Sequence, residues 1–292
     1  MGAVSNNNNN NNNTSAYTAP PPSYQTAATS YHATDSASRS PLLQPDGSAP
    51  SRGQAAEGQA PDSDLPDDFK YSTSISQCSI SIRNAFVRKV YTILFLQLLA
   101  TSGMSLLFMF NPGIRFWVQS HPSMMWITLF GSIALLFLTY WKRKSYPTNL
   151  LFLGGFTLLE GYSVATITTF YETRIVVEAL LITLLIFGGL TVFAMQSKYD
   201  FTGWMPFLGL AVWLLIGFGF IAAFFPYSSA SELGFGVLGA AVFSGYILVD
   251  TQLIMKHYHP EEEIAASISL YLDFINLFLS ILRILNSQNN NN

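Results

Sequence analysis

Seven apolar runs, each near the length that crosses a bilayer, leave this chain few ways to fold. They are VRKVYTILFLQLLATSGMSLLFMF (87–110), PSMMWITLFGSIALLFLTYW (122–141), TNLLFLGGFTLLEGYSVATITTFY (148–171), RIVVEALLITLLIFGGLTVFAMQ (174–196), GWMPFLGLAVWLLIGFGFIAAFF (203–225), LGFGVLGAAVFSGYILVDTQLIM (233–255) and IAASISLYLDFINLFLSILRIL (264–285). About 20 apolar residues cross about 30 Å of hydrocarbon as a helix. The bilayer core offers no water to backbone N–H and C=O groups, so such runs satisfy them internally as helices. The intervening loops are short, which makes consecutive helices antiparallel neighbours. Charged residues are 11% of the chain, against about 25% in soluble domains. The expected fold is an all-α polytopic membrane protein, a seven-transmembrane-helix bundle over residues 79–286.

Residues 1–78 read differently. An Asn run, Asn6 to Asn13, leads into Ala-, Ser-, Thr-, Pro- and Gln-rich sequence with few apolar residues. Such a stretch cannot bury enough surface to offset its ordering entropy, so a disordered tail is expected. Residues 287–292 make a second, Asn-rich tail. No apolar signal region precedes the first run, which is expected to act as its own insertion signal. Pro21-Pro22-Ser23-Tyr24 is a PPxY element. Pro-rich segments dock aromatic grooves such as those of WW domains because their extended form is preformed. WW domains occur in ubiquitin ligases that sort membrane proteins, so a WW-domain ubiquitin ligase is the expected partner of this tail.

The distribution of Lys and Arg gives the expected orientation. One side takes Arg39, Arg52, Lys70, Arg83, Arg88, Lys89, Lys142, Arg143, Lys144, Lys198 and Lys256, and the other takes Arg115, Arg174 and Arg283. This division of 11 against 3 places the N-terminus in the cytosol and the C-terminus across the membrane. Asp273, Asn276 and Arg283 lower the hydropathy of the last run, which leaves a re-entrant hairpin open there. A net charge of −3 gives no reason to expect nucleic acid as a partner.

Two aspartates interrupt the apolar pattern. Asp250 lies in the sixth run and Asp273 in the seventh. An ionisable group at the centre of a membrane helix costs roughly 2.5–3.5 kcal/mol, so it points to function. In the seventh run Ser269, Asp273, Asn276, Ser280 and Arg283 recur at spacings of 4, 3, 4 and 3, which is one helical face. That stripe has to face protein or water, so this helix is expected inside the bundle, lining a cavity or forming a polar helix contact. Two carboxyl groups meeting in a poorly solvated place do not both ionise easily and share a proton. Such a pair senses pH, and its oxygens suit a hard cation such as Ca²⁺. Glu160 in the third run and Glu178 in the fourth are further acids, and no Lys or Arg lies deep in any run to neutralise them. Four acids suit a cation path. The candidate residues for an ion path and pH sensing are Asp250, Asp273, Glu160, Glu178 and Asn276, with Asp250 and Asp273 as transient Ca²⁺ ligands. For Asp250 the alternative is headgroup water, and for Glu178 interfacial exposure.

The lone Cys78 excludes an intramolecular disulfide, and His257 and His259 beside Glu261 to Glu263 read as a solvated loop. No nucleophile–base arrangement or metal motif is visible, so neither an enzyme nor a cofactor is expected.

The stretches RNAFVRKVYTILFLQLLAT (83–101), FTLLEG (156–161), GYILVDTQLIM (245–255) and SLYLDFINLFLSILRIL (269–285) resemble the Bax inhibitor-1 / lifeguard family, the transmembrane Bax-inhibitor-motif proteins. The similarity runs from about residue 80 to the end of the last run. The resemblance implies a seven-helix bundle with the last helix central, and a pH-sensitive calcium leak across an internal membrane that suppresses stress-induced cell death. It places the family's paired aspartates at Asp250 and Asp273. It also implies an arginine in the second helix of bacterial relatives that latches the pair. Here the second run, MMWITLFGSIALLFLTYW, holds none.

The expected function is thus a calcium leak in the membrane of the endoplasmic reticulum, Golgi or vacuole. A proton-coupled transporter and a non-conducting adaptor acting through protein contacts are the alternatives. For the orientation, the sequon at Asn12 should carry no sugar, whereas a sequon engineered beyond Arg283 should be glycosylated; endoglycosidase sensitivity reports both, and a sugar on Asn12 contradicts the orientation. For the PPxY element, Tyr24→Ala should abolish WW-domain pull-down and lengthen the protein's half-life in a chase experiment.

Overall fold

The apolar runs fold as helices, joined by one additional short helix. In order they are α1 (Ile80–Phe110), α2 (Pro112–Ser120), α3 (Ser123–Trp141), α4 (Thr148–Thr168), α5 (Thr173–Gln196), α6 (Met205–Ala222), α7 (Ser229–Lys256) and α8 (Glu263–Asn289). All but α2 are long and apolar enough to cross a membrane, which makes seven spans. The computed structural model describes residues 74–142, 145–222, 224 and 229–289, all within one unit. The PPxY element and most of the 1–78 tail lie outside the described residues.

Helix ends depart from the apolar runs where polar residues extend a helix. α1 begins at Ile80, seven residues before the run read from hydropathy, because Ser81, Arg83 and Asn84 continue the same helix into the polar layer. α8 continues to Asn289, into the stretch expected as a tail. The last residues of the expected N-terminal tail are also structured. Ile75–Gln77 form a 3₁₀ turn, and Ile75 is fully buried. The expectation of disorder up to residue 78 therefore needs correction at this end.

Short α2 was missed by hydropathy, although its start is written in the sequence. The side chain of Asn111 accepts hydrogen bonds from the N–H groups of Gly113 and Ile114 at 3.1 and 3.2 Å, and Pro112 occupies the first helical position. An Asn cap followed by Pro is a helix-start signal, since Pro has no N–H to leave unpaired. Gln119 Nε2 donates to Thr169 O at 2.9 Å and so fastens α2 to the end of α4. Phe116 and Trp117 stay exposed, as suits a helix lying along a membrane surface.

The last helix is the axis of the bundle. In its most apolar stretch 56% of residues are buried, against 6% in α6, which sits on the rim. α8 packs most extensively on α7, then on α1 and α5, and also touches α4. It is one unbroken helix, not a re-entrant hairpin. Lipid tails are as apolar as Leu, so packing and polar contacts between helices hold such a bundle together. Thr101 Oγ1 and Tyr271 Oη, 2.8 Å apart, join α1 to α8. Gln97 Nε2 donates to Thr157 Oγ1 at 3.1 Å between α1 and α4. Gln252 of α7 pins the loop before α6, donating to Tyr199 O and accepting from Phe201 N, both at 2.7 Å.

α7 meets α8 backbone to backbone. A methyl group at Gly236 would stand 3.1 Å from Ser280 O and 2.8 Å from Ile284 Cγ1, and one at Gly239 would stand 2.6 Å from Ser280 Oγ. At Gly234, two residues before Gly236 on α7, nothing lies within 4 Å. Gly→Ala in a helix gains about 1 kcal/mol of propensity, but overpacking costs about 1–3 kcal/mol. Gly234→Ala should therefore raise the thermal midpoint in detergent, and Gly236→Ala should lower it. Equal shifts for the two would contradict this close approach.

Candidate functional site: a carboxyl pair between α7 and α8

The loop over residues 257–262 turns α7 back into α8, so the two run antiparallel. The face where this loop lies also carries Arg83, Arg88, Lys89, Lys142, Lys198 and Lys256, and is called the basic face below. Asp250 stands six residues before the end of α7 at Lys256, and Asp273 ten residues after the start of α8 at Glu263. At the helical rise these are depths of about 9 and 15 Å. Side chains lean toward the N-terminus of their own helix. Asp250 therefore leans deeper and Asp273 leans toward the basic face, which closes the gap.

The two carboxyl groups are hydrogen-bonded to each other. A hydrogen bond between carboxyl groups needs a proton on one of them. Asp250 is 7% exposed and Asp273 5%. Asp250 also bonds to Ser269, one turn before Asp273 on α8. Asp273 Oδ2 is buried without a hydrogen-bond partner. Each carboxyl acts on the other, with Ser269 as the further hydrogen-bonding group at Asp250 and no Lys or Arg among the groups that act on them. Among the described residues no arginine latch holds this pair.

A polar chain leads from the pair to the basic face. Tyr258 Oη lies 3.4 Å from Ser269 Oγ. Burial pushes the Tyr258 phenol up, so it stays protonated. Tyr258 O accepts the N–H of Ile75 at 2.9 Å, and Ile75 packs into the main apolar core. The turn before α1 is thus fastened to the loop that carries Tyr258. Sequence reasoning missed Tyr258 and Ile75, because their role lies in contacts between distant parts of the chain. The one available signal was an isolated pair of isoleucines in the Ser-rich stretch STSISQCSIS.

On the other side of the pair, part of the polar stripe borders a cavity. Asn276, Ser280 and Arg283 border a space of about 270 Å³ together with residues of α6 and α7, Leu215 and Phe243 among them. Asn276 Nδ2 donates to Leu272 O at 2.8 Å and Ser280 Oγ to Asn276 O at 2.7 Å, so the Ser280 hydroxyl proton and one Asn276 amide proton go to the helix backbone. The Arg283 guanidinium lies over the Phe235 ring, 4.5 Å from its centre.

The other two acids are placed elsewhere. Glu160 bonds to Ser132 across the α3–α4 contact and is not joined to the pair. Glu178 forms a 2.7 Å ion pair with Arg174, one turn earlier on α5, with its side chain 45% exposed. The expectation of four unneutralised acids fails for Glu178, and the i, i+4 spacing of opposite charges was the sign of it. Among the described residues no group of three or more His, Cys, Asp or Glu side chains converges. Ca²⁺ takes six to eight oxygens, more than two carboxyls supply.

Comparison with known proteins identifies the family. Residues 83–290 match the family model for "Inhibitor of apoptosis-promoting Bax1". The chain is 46% identical over 227 residues to "Bax inhibitor 1" of Schizosaccharomyces pombe, covering 77% of this chain and 85% of the relative. It is 42% identical over 229 residues to "Protein lifeguard 4" of Mus musculus, covering 78% and 96%. It is 40% identical over 227 residues to the "Golgi anti-apoptotic protein" of Vaccinia virus, covering 78% and 95%. With the match spanning every membrane helix, the chain belongs to the Bax inhibitor-1 / lifeguard family.

Proposed function

We propose that this protein is a pH-sensitive calcium leak of an internal membrane, and that by lowering the releasable Ca²⁺ store it protects the cell from stress-induced death. The observation that carries the reading is the buried carboxyl–carboxyl hydrogen bond between two neighbouring spans. While the pair shares a proton, its two carboxyl groups are held together. Loss of that proton leaves two like charges in contact, and their repulsion is large where water is scarce. The freed oxygens then offer ligands to a hard cation. Asn276 and the cavity beside it extend this route away from the basic face, and Ser269 with Tyr258 extends it toward that face.

The relatives' names, "Bax inhibitor 1" and "Golgi anti-apoptotic protein", support the protective role and an internal membrane. The charge division supports a cytosolic basic face and a cytosolic N-terminus, and the PPxY element supports a WW-domain ubiquitin ligase as a partner.

The test uses the purified full chain in liposomes loaded with a Ca²⁺ dye, between pH 6 and 8, a range that covers a buried carboxyl. Wild-type flux should change with pH. Asp250→Asn and Asp273→Asn should flatten that dependence, because a single carboxyl has no partner with which to share a proton. Asp273→Asn should have the larger effect, since Asp273 is the deeper of the two. Variants that reproduce the wild-type curve would sink the mechanism. A wild-type protein that passes no Ca²⁺, yet still protects cells, would favour the adaptor reading. Proton movement coupled to a solute would favour the transporter.

A further inference from the structure

A narrow cleft enters the bundle from its lipid-facing side and reaches the central helix. Its walls are α1, with Ser102 and Ser105, and α5, with Val177 and Leu180; its floor is Phe274 and Phe278 of α8. Nearer the basic face Tyr91 of α1 faces Thr191 of α5. Toward the opposite face the cleft lies between them. The mouth opens sideways into the surroundings, since Leu106 is 50% and Val177 45% exposed.

The depth of the cleft matches one leaflet. It begins at Thr173 and Met109, at the ends of α5 and α1 away from the basic face, and reaches Leu98. Leu98 lies twelve residues before the end of α1 at Phe110, about 18 Å at the helical rise. Half of the hydrocarbon core is about 15 Å. Phe274 lies eleven residues into α8 from the basic face, about 16 Å deep and thus near the midplane. The cleft therefore runs from headgroup level to the middle of the membrane, as a lipid tail does.

Its width selects the same occupant. The cleft holds about 80 Å³. A water-sized group needs about 10–15 Å³ on this measure, so there is room for a single row of roughly five to eight. A helix is about 10–12 Å across and does not fit. A polar solute finds only hydroxyls there, and that of Thr101 is already taken up by Tyr271 and by Gln97 O. Ser102 and Ser105 keep the α1 wall low, and small side chains of this kind let a neighbour approach closely.

We propose that an acyl chain of a bilayer lipid, from the leaflet opposite the basic face, lies in this cleft against Phe274 and Phe278. Phe274 follows Asp273 directly in the chain, so the lipid packs on the central helix at the level of the carboxyl pair. The inference needs only the membrane fold and stands whether or not the pair conducts Ca²⁺.

The test is photolabelling of the full chain in phosphatidylcholine liposomes, a fraction of whose lipid carries a diazirine partway along one acyl chain. Labelled residues are mapped by mass spectrometry. Phe274 and Phe278 are 2% and 5% exposed, so only a group inside the cleft reaches them. Label should appear on Phe278 and Ser105 as well as on the outer residues Leu99 and Leu214. Ser105→Trp, or Val177→Trp from the other wall, should remove the label from Phe278 and leave that on Leu99 unchanged. Label confined to Leu99 and Leu214, label on Phe278 that survives both tryptophans, or a protein–protein crosslink through the cleft would each overturn the proposal.

Discussion

One hydrogen bond, between two carboxyl groups inside the membrane, sets conditions that the rest of the fold meets. Asp250 and Asp273 belong to adjacent spans and touch. For that contact α7 and α8 must run antiparallel, lie close and hold a fixed register. The six-residue loop over 257–262 supplies the first condition. Gly236 and Gly239 supply the second, by letting the α7 backbone rest on Ser280. The third comes from the lean of side chains toward their own N-termini, which brings together residues four positions apart in depth. Removing water from such a pair costs energy unless its groups are hydrogen-bonded. Each carboxyl answers part of that demand for the other, and Ser269 adds a further bond at Asp250, while Asp273 Oδ2 stays without a hydrogen-bond partner.

The same demand explains why α8 is the axis. A helix with Ser269, Asp273, Asn276, Ser280 and Arg283 on one face is costly against lipid. Inside the bundle its apolar residues are buried as well, with Leu270, Leu277 and Leu282 fully covered. α6 carries no such stripe, and its exposed Trp213, Leu214 and Phe220 suit the rim. The cleft between α1 and α5 reaches α8 on another of its faces. It meets the apolar Phe274 and Phe278, not the polar stripe.

Much of this was legible in the chain. Span number follows from apolar length, and the place of α8 inside the bundle from a 4, 3, 4, 3 polar spacing. The pairing of Asp250 with Asp273 follows from short-loop antiparallelism plus the penalty for a lone carboxyl in lipid. Other features lay beyond such patterns. Hydropathy sees no difference between Ser81, Arg83 and Asn84 in a helix and in a tail, so the start of α1 was placed late. Glu160 and Glu178 look alike in apolar runs, but one bonds across to Ser132 and the other to its own neighbour Arg174. The burial of Ile75 under Tyr258 depends on a contact between residues far apart in sequence. A membrane chain encodes depth well and partner choice poorly, because depth is a local sum and partners are not.

The central claim is that Asp250 and Asp273 hold one proton between them. Infrared difference spectroscopy on the protein in lipid, stepped through pH, reads the C=O stretch of a protonated carboxyl directly. The account predicts a titrating carboxyl band in the wild type, shifted on deuteration, whose frequency and pH dependence change in both Asp250→Asn and Asp273→Asn. A wild-type spectrum without that band, or a band unchanged in both variants, would contradict it.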